Sequence, residues 1–312
     1  MSARLAAFLA ALLPAASALA TDGILEISQT CATQTGCFAG DTPGFPVTIA
    51  SAGSYRLTTN LAVPNADTSG IDITTDDGVM LDLGGFVISG TNDCNGYPAV
   101  CSEAGSGSGV DSHVPDPSEP GDFIFAKNVT LRNGILRGHG NAGARLGSFA
   151  HVEGVEAIGN RWYGLRVGDH SIVRDNRIVQ NGWVGLNGRF GNAITGNASV
   201  GNGQDGITAN SGSVLMQNTS VRNGGRGFYV VGPGNTVTTN TASDNATSGI
   251  DAGSRSTLIG NTVTGNGVGL TLQTNDPPGY ANNVISGNAG AAVTGGVALE
   301  CNIINNVRVC PP

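Results

Sequence analysis

Eight glycines recur along this chain at nearly constant spacing: Gly143, Gly164, Gly185, Gly206, Gly227, Gly249, Gly269 and Gly290, in steps of 21, 21, 21, 21, 22, 20 and 21 residues. A fixed period of this size is the signature of a solenoid, in which each repeat is one coil stacked on the last. Residues one period apart then lie side by side in space, so the glycines serve as a ruler for finding sites.

Each period has the same internal order. An aliphatic residue comes first: Val173, Ile194, Leu215, Val237, Leu258. An asparagine follows three residues on, at Asn176, Asn197, Asn218, Asn240 and Asn261, continuing at Asn283 and Asn305. A second asparagine lies five residues further, at Asn181, Asn202, Asn223, Asn245 and Asn266, with Asn160 before and Asn288 after. Then come the marker glycine and an apolar residue: Leu165, Leu186, Ile207, Phe228, Ile250, Leu270. Strands this short, separated by tight Asn/Gly corners, exclude helices, because both residues tolerate left-handed backbone and are poor in helix interiors. Coils stacked in register about 4.8 Å apart line up equivalent asparagines into hydrogen-bonded ladders and aliphatics into internal columns. The expected fold is all-β: a right-handed parallel β-helix of about ten coils, 21–22 residues each, roughly 48 Å long at that rise.

Composition agrees. Glycine makes up 49 of 312 residues, yet only 12% are charged and 39% are hydrophobic and in register, the reverse of a disordered chain. The net charge of −8 excludes the basic footprint of a nucleic-acid partner. Arg4, the apolar stretch Leu5–Leu13 and Ala18-Leu19-Ala20 before Thr21 read as a signal peptide over residues 1–20. The alternative is a membrane anchor, but the apolar run is short for a span, and no other segment could cross a bilayer. The expected location is therefore secreted or periplasmic. Six cysteines fit export and fall as three local pairs: Cys31/Cys37, Cys94/Cys101 and Cys301/Cys310. Fifteen pairings are open in principle. Nearest-neighbour pairing is expected because the pairs lie at the two ends and in one insertion, where they would staple irregular backbone. Residues 21–312 form one domain, with caps at 21–45 and 295–312 and an insertion at 91–127.

The repeats resemble those of pectin-lyase-like right-handed β-helix proteins. So do the lead-in segments Gly53-Ser-Tyr-Arg-Leu-Thr-Thr-Asn60, Gly78-Val-Met-Leu-Asp-Leu-Gly-Gly-Phe-Val-Ile-Ser-Gly90 and Asn128-Val-Thr-Leu-Arg-Asn-Gly-Ile-Leu-Arg137. The resemblance spans about residues 45–300. It implies the fold; the superfamily holds lyases, hydrolases, epimerases, adhesins and tail-spikes, so chemistry must come from the site.

Two residues after each marker glycine the side chain should face solvent, because its predecessor faces the core. That column reads Arg145, Arg166, Asn187, Thr208, Tyr229, Asp251, Thr271, Ala292, and extends upstream to Asp72 and Asp111. Two residues before the glycine lie Trp162, Trp183 and Gln204; one before lie Tyr163, Val184, Asp205, Arg226 and Ser248. Trp162 and Trp183 suit the apolar face of a sugar ring, with Asn187 for its hydroxyls; alternatively they only stiffen a corner. Arg145 over Arg166 makes a receptor for carboxylate or sulfate, unless each pairs with a nearby acid such as Asp169 or Glu153.

The candidate catalytic groups are Asp205, Asp251, Tyr229 and His170. Asp205 and Asp251 sit two coils apart, about 9.6 Å by rise, near the separation inverting glycosidases use. A lyase would need a cation or Arg against a uronate and a base such as His170, Tyr229 or an Arg. Arg137-Gly-His139-Gly140 is similar to the Gly-His-Gly of polygalacturonases, but their Asn-Thr-Asp and Arg-Ile-Lys partners are absent, as are the Asp-Pro-His-Asp of alginate epimerases and the repeated Gly-Gly-x-Gly-x-Asp of calcium β-rolls. No cofactor is expected; calcium held by Asp72 and Asp111, with Asp76 or Asp77, is the alternative to metal-free acidic turns. Asn-x-Ser/Thr at Asn128, Asn197, Asn218 and Asn245 is not read as glycosylation, the last three already belonging to the ladders. The insertion is expected either to wall a groove over Arg145 and Arg166 or to hang as a loose loop. These features lead to an exported β-helix whose partner is an anionic polysaccharide, with cleavage by lyase or hydrolase chemistry as the enzymatic form of that reading. The competing reading is a non-catalytic surface or adhesion protein.

Overall fold

The computed structural model describes residues 23–102, 105–115 and 123–311; the expected signal peptide lies outside them. Each repeat contributes three short strands, as in Tyr163–Val167, Ile172–Arg174 and Arg177–Val179. The first of the three stacks into an eleven-stranded parallel sheet, here the front sheet, running from Val47–Ile49 to Val293–Thr294. The other two build the rear faces, joined in a 22-stranded sheet. The solenoid has about 12 turns rather than ten. The difference lies upstream of Gly143, where the insertion breaks the glycine period and strands such as Ile24–Ile27, paired with Ser54–Leu57, carry no marker.

Both predicted aliphatic columns are in the core. Val173, Ile194, Leu215, Val237 and Leu258, and Leu165, Leu186, Ile207, Phe228, Ile250 and Leu270, are fully buried. The marker glycines owe their place to crowding. A Cβ on Gly164 would stand 2.7 Å from both the Gly185 carbonyl oxygen and the Asn181 amide nitrogen; on Gly185 it would meet Gly206 O at 2.6 Å. Left-handed backbone falls elsewhere, on the residue just before a ladder asparagine: Asp175, Gln180, Gln217, Arg222, Thr239 and Asp244 all have positive φ. The eighth glycine is not part of the beat. Leu270 N donates to Ala292 O and Gly290 N donates to Gly267 O, so the position equivalent to Gly269 is Ala292.

Both asparagine ladders form. Along one, Nδ2 of Asn176, Asn197, Asn218, Asn240 and Asn261 donates to Oδ1 of the next asparagine at 2.9–3.1 Å. This ladder ends on Asn302, not Asn305: Asn283 Nδ2 donates to Asn302 Oδ1 at 3.0 Å, while Asn305 is exposed in a tight turn. The second runs unbroken from Asn160 to Asn288. Each Oδ1 also accepts the neighbour's backbone N–H, as Asn218 Oδ1 does from Asn197 N. A third ladder alternates serine with asparagine through Ser171, Asn192, Ser213, Asn235 and Ser256. The two asparagine ladders bury their side-chain amides with hydrogen bonds made, which a narrow tube of short strands requires; in the third, Asn192 Nδ2 is buried without a partner among the described residues. Asn197, Asn218 and Asn245 are buried in them.

The three disulfides join Cys31–Cys37, Cys94–Cys101 and Cys301–Cys310. Both expected caps are partly coil: Ile24–Ile27 and Asn302–Ile304 pair in register with the stack, and only Val307–Val309 turns back antiparallel. The insertion is likewise not one loop. Val110–Ser112 returns to the front sheet between Ile71–Ile73 and Ala142–Arg145. Ahead of it, the Cys94–Cys101 hairpin docks on a corner of the solenoid.

Candidate functional site: the outer face of the front sheet

Strand register places one outward residue of each coil in line: Thr48, Asp72, Asp111, Arg145, Arg166, Asn187, Thr208, Tyr229, Asp251, Thr271 and Thr294. The column matches the sequence expectation except at its end. Thr294 stands where Ala292 was expected, because Gly290 is off the beat.

Three groupings occupy this face. At the N-terminal end, Arg145 binds Asp111 through two hydrogen bonds, Nε–Oδ1 3.1 Å and Nη2–Oδ2 2.7 Å. Neither expected acid takes part: Asp169 pairs with Arg189, and Glu153 with Arg174. Asp72, Asp111 and His113 have their ligand atoms within 4.8 Å of one another, and burial pushes the Asp72 carboxyl up to about 6, with the Asp111 charge adding to it. Asp76 and Asp77 do not join. Asp76 accepts the Lys127 N–H at 2.7 Å, and Asp77 turns to Thr75. The donors do not fit a calcium ion, which takes six to eight oxygens. One of the two carboxylates is already held by a guanidinium, and the third group is an imidazole.

In the middle, Arg166 lies over Tyr163 at 5.5 Å and over Phe125 at 5.2 Å, and the same Phe125 ring takes Arg145 at 5.4 Å. The later part of the insertion therefore does stand over both arginines, beside a cavity of about 300 Å³ lined by Asp111, His113, Ile124, Phe125 and Arg145. Eight arginines of the chain pair with carboxylates; among the described residues, Arg166 meets none. Trp162 and Trp183 meet edge to face at 5.8 Å, and Tyr163 meets Trp183 at 5.1 Å. Both tryptophans remain more than a third exposed. The Trp183 indole N–H is turned to Gln204 and the Asn187 amide to Thr208. Burial raises the Tyr163 pKa, against the pull of Arg166 and Arg145.

Further along, Asp205 and Asp251 converge. Their backbones are two coils apart, yet both carboxylates reach Arg226, which donates Nε to Asp251 at 2.8 Å and Nη1 to Asp205 at 3.4 Å. The Arg226 backbone N–H also donates to Asp205 at 2.7 Å, and its guanidinium lies 3.8 Å above the Tyr229 ring. Burial raises the Asp251 pKa; Arg226 opposes this and Asp205 adds to it. Arg226 stands in the sequence column that holds Asp205, one coil on, and the period alone does not show that its side chain reaches both carboxylates. Phe125 had no signal, since it lies where the period is broken. His170 is not brought to this group: it sits at a corner with positive φ, stacked on Phe149 at 5.6 Å. His139 is buried, hydrogen-bonds Ile88 O at 3.0 Å, and has its pKa lowered to about 4 by burial. A histidine so placed cannot touch a substrate on this face.

The family model for the right-handed β-helix region matches residues 184–310. A comparison with curated proteins gives no match. Among solved structures, the chain is similar to pectate lyase Pel9A, with 16% identity and a TM-score of 0.62 over 88% of this chain and 78% of that one. It is also similar to the A-module of the mannuronan C-5 epimerase AlgE4 of Azotobacter vinelandii, with 15% identity and a TM-score of 0.55 over 87% and 80%. Identity this low speaks for shared architecture alone. By fold, the chain is a parallel β-helix, of the right-handed kind that the family model describes over residues 184–310.

Proposed function

We propose that the protein is exported and binds an anionic polysaccharide along the outer face of the front sheet. The observation that carries this is Arg166: a guanidinium held in place by Phe125 and Tyr163, with no carboxylate partner among the described residues. Its forked donors are free for a uronate carboxylate or a sulfate. Trp162, Trp183 and Tyr163 beside it offer apolar surface to sugar rings, and Asn187 and Gln204 offer hydrogen bonds. Arg145 plays a lesser part, because Asp111 already holds it. Export rests on the leader at residues 1–20 and on three disulfides, which persist in oxidising compartments. Among the described residues, no helix is long and apolar enough to cross a membrane. The pectate lyase and the mannuronan epimerase with similar architecture are named for acidic polysaccharides, in keeping with this reading.

Cleavage would fall to Asp205, Asp251 and Tyr229. One observation favours the non-catalytic alternative. Arg226 occupies the space between the two carboxylates where an inverting hydrolase would hold its water, so each acid is engaged rather than free. The test is a panel of acidic polysaccharides read three ways: tryptophan fluorescence for binding, ultraviolet absorbance of an unsaturated product for a lyase, and reducing ends for a hydrolase. A fluorescence change with a uronate or sulfated polymer is expected. Silence in all three would end the reading; binding without product would assign the protein to the binders.

A further inference from the structure

The Cys94–Cys101 hairpin is seated with unusual care on the corner of four coils. A Cβ on Gly182 would strike Cys101 Sγ at 2.5 Å, on Gly201 the Tyr97 ring at 2.2 Å, and on Gly224 the Pro98 side chain at 2.8 Å. Ala99 N donates to Gly201 O at 3.1 Å, and Gln180 Nε2 to Gly96 O at 3.3 Å. The glycines of these corners thus admit the hairpin as a fixed wall. On its open side, over a rear face of the solenoid, lies a cleft of about 550 Å³. That volume is within the usual range of small-ligand pockets. Its floor is aliphatic, made by Val87, Ile135 and Ile158, with Arg137 beside them. Asp93 comes from the hairpin and Glu156 from the sheet. Glu156 is engaged by Arg177, whereas Arg137 has no ion pair among the described residues.

We propose that this cleft is a second saccharide site, for an acidic sugar that carries an acetyl or methyl group. It stands apart from the front-sheet reading and does not depend on it. Arg137 takes the acid group as a forked, charge-assisted donor. Val87, Ile135 and Ile158 take the methyl group, which the front sheet, with its flat aromatic surface, would not select. Asp93, one of whose carboxylate oxygens accepts from the Asn95 side chain, offers the other to a hydroxyl. The absence of an aromatic platform distinguishes this cleft from the surface around Trp162 and Trp183.

The test uses the whole mature protein with N-acetylneuraminic acid as probe, titrated by saturation-transfer NMR. Glucuronic acid, which lacks the acetyl group and is read in the Arg166→Ala background so that the front sheet does not contribute, and N-acetylglucosamine, which lacks the acid, are the controls. The probe is expected to bind, each control roughly tenfold more weakly, and Arg137→Ala to lose roughly tenfold, with Arg137→Lys between. Arg137 is exposed and has no ion pair among the described residues, so its replacement leaves the fold intact, checked by thermal melting. Arg166→Ala should leave this binding unchanged, and Arg137→Ala should leave polyuronate binding unchanged. No binding by the wild type, equal binding by Arg137→Ala, or equal binding of the controls would overturn the proposal, whatever becomes of the front sheet.

Discussion

Arg226 donates its Nε–H to Asp251 at 2.8 Å from the preceding coil, and this contact turns two separate carboxylates into one group, because the same guanidinium also reaches Asp205. Asp205 is nearly buried and Asp251 half-buried. Removing the cation leaves two acids facing each other.

Arg226→Ala is therefore expected to cost about 1–2 kcal/mol near neutral pH, less than a fully buried pair because Arg226 is partly exposed. The loss should depend on pH. Without Arg226 the folded-state pKa of Asp251 rises further, so stability is kept in acid and lost as pH rises through that value. Urea midpoints measured from acid to neutral, roughly pH 4 to 8, would check this. A pH-independent loss would mean that packing on Tyr229, not charge, is what Arg226 supplies.

The ladders make a sharper stability prediction. Asn218→Ala takes the Oδ1 acceptor from both the side-chain amide and the backbone N–H of Asn197, removes the Nδ2 donor to the Ile194 carbonyl, and leaves Asn240 Oδ1 only the backbone N–H of residue 218, all buried. Orphaning several buried groups should cost about 3 kcal/mol or more. Asn305→Ala, outside the ladder and exposed, should change stability by less than about 0.5 kcal/mol. Equal effects at the two positions would contradict the assignment of Asn302 as the ladder's end.

Buried His139 and half-buried Asp72 titrate in opposition. His139 is held at about 4 against its ordinary 6.5, so the unfolded chain takes the proton first and stability is lost as pH falls through that interval. Asp72 is raised to about 6 from 3.8, so the folded chain takes the proton first and stability is gained as pH falls through its own interval. The two slopes offset one another. Asp72→Asn should be more stable than the wild type at about pH 7 and should lose that advantage by about pH 4. Parallel profiles for the two proteins would refute the burial argument for Asp72.

The solenoid was legible because crowding imposes glycine at one point of every coil and hydrogen-bond satisfaction imposes asparagine at two others. These constraints repeat, so they appear as a period. The same ruler aligns Arg145, Arg166, Asn187, Tyr229 and Asp251 from sequence alone. It failed where the constraint changes. At the C-terminal end Gly290 keeps the spacing by coincidence, while Ala292 holds the structural position. Side-chain reach was also invisible: backbone rise separates Asp205 from Asp251, and a long arginine reunites them. Phe125 and the hairpin lie in the irregular stretch, where no period tells which coil they will meet.

The central claim is that Arg166 receives an acidic group of a bound polysaccharide. It is tested most directly by measuring the affinity of a polyuronate for the wild type, Arg166→Ala and Arg255→Ala. Arg255 is an exposed surface arginine paired with Asp276, so its replacement changes the net charge equally without touching the front sheet. The account predicts a loss of roughly tenfold or more for Arg166→Ala and little change for Arg255→Ala. Equal affinities for all three proteins, or equal losses in both variants, would contradict it.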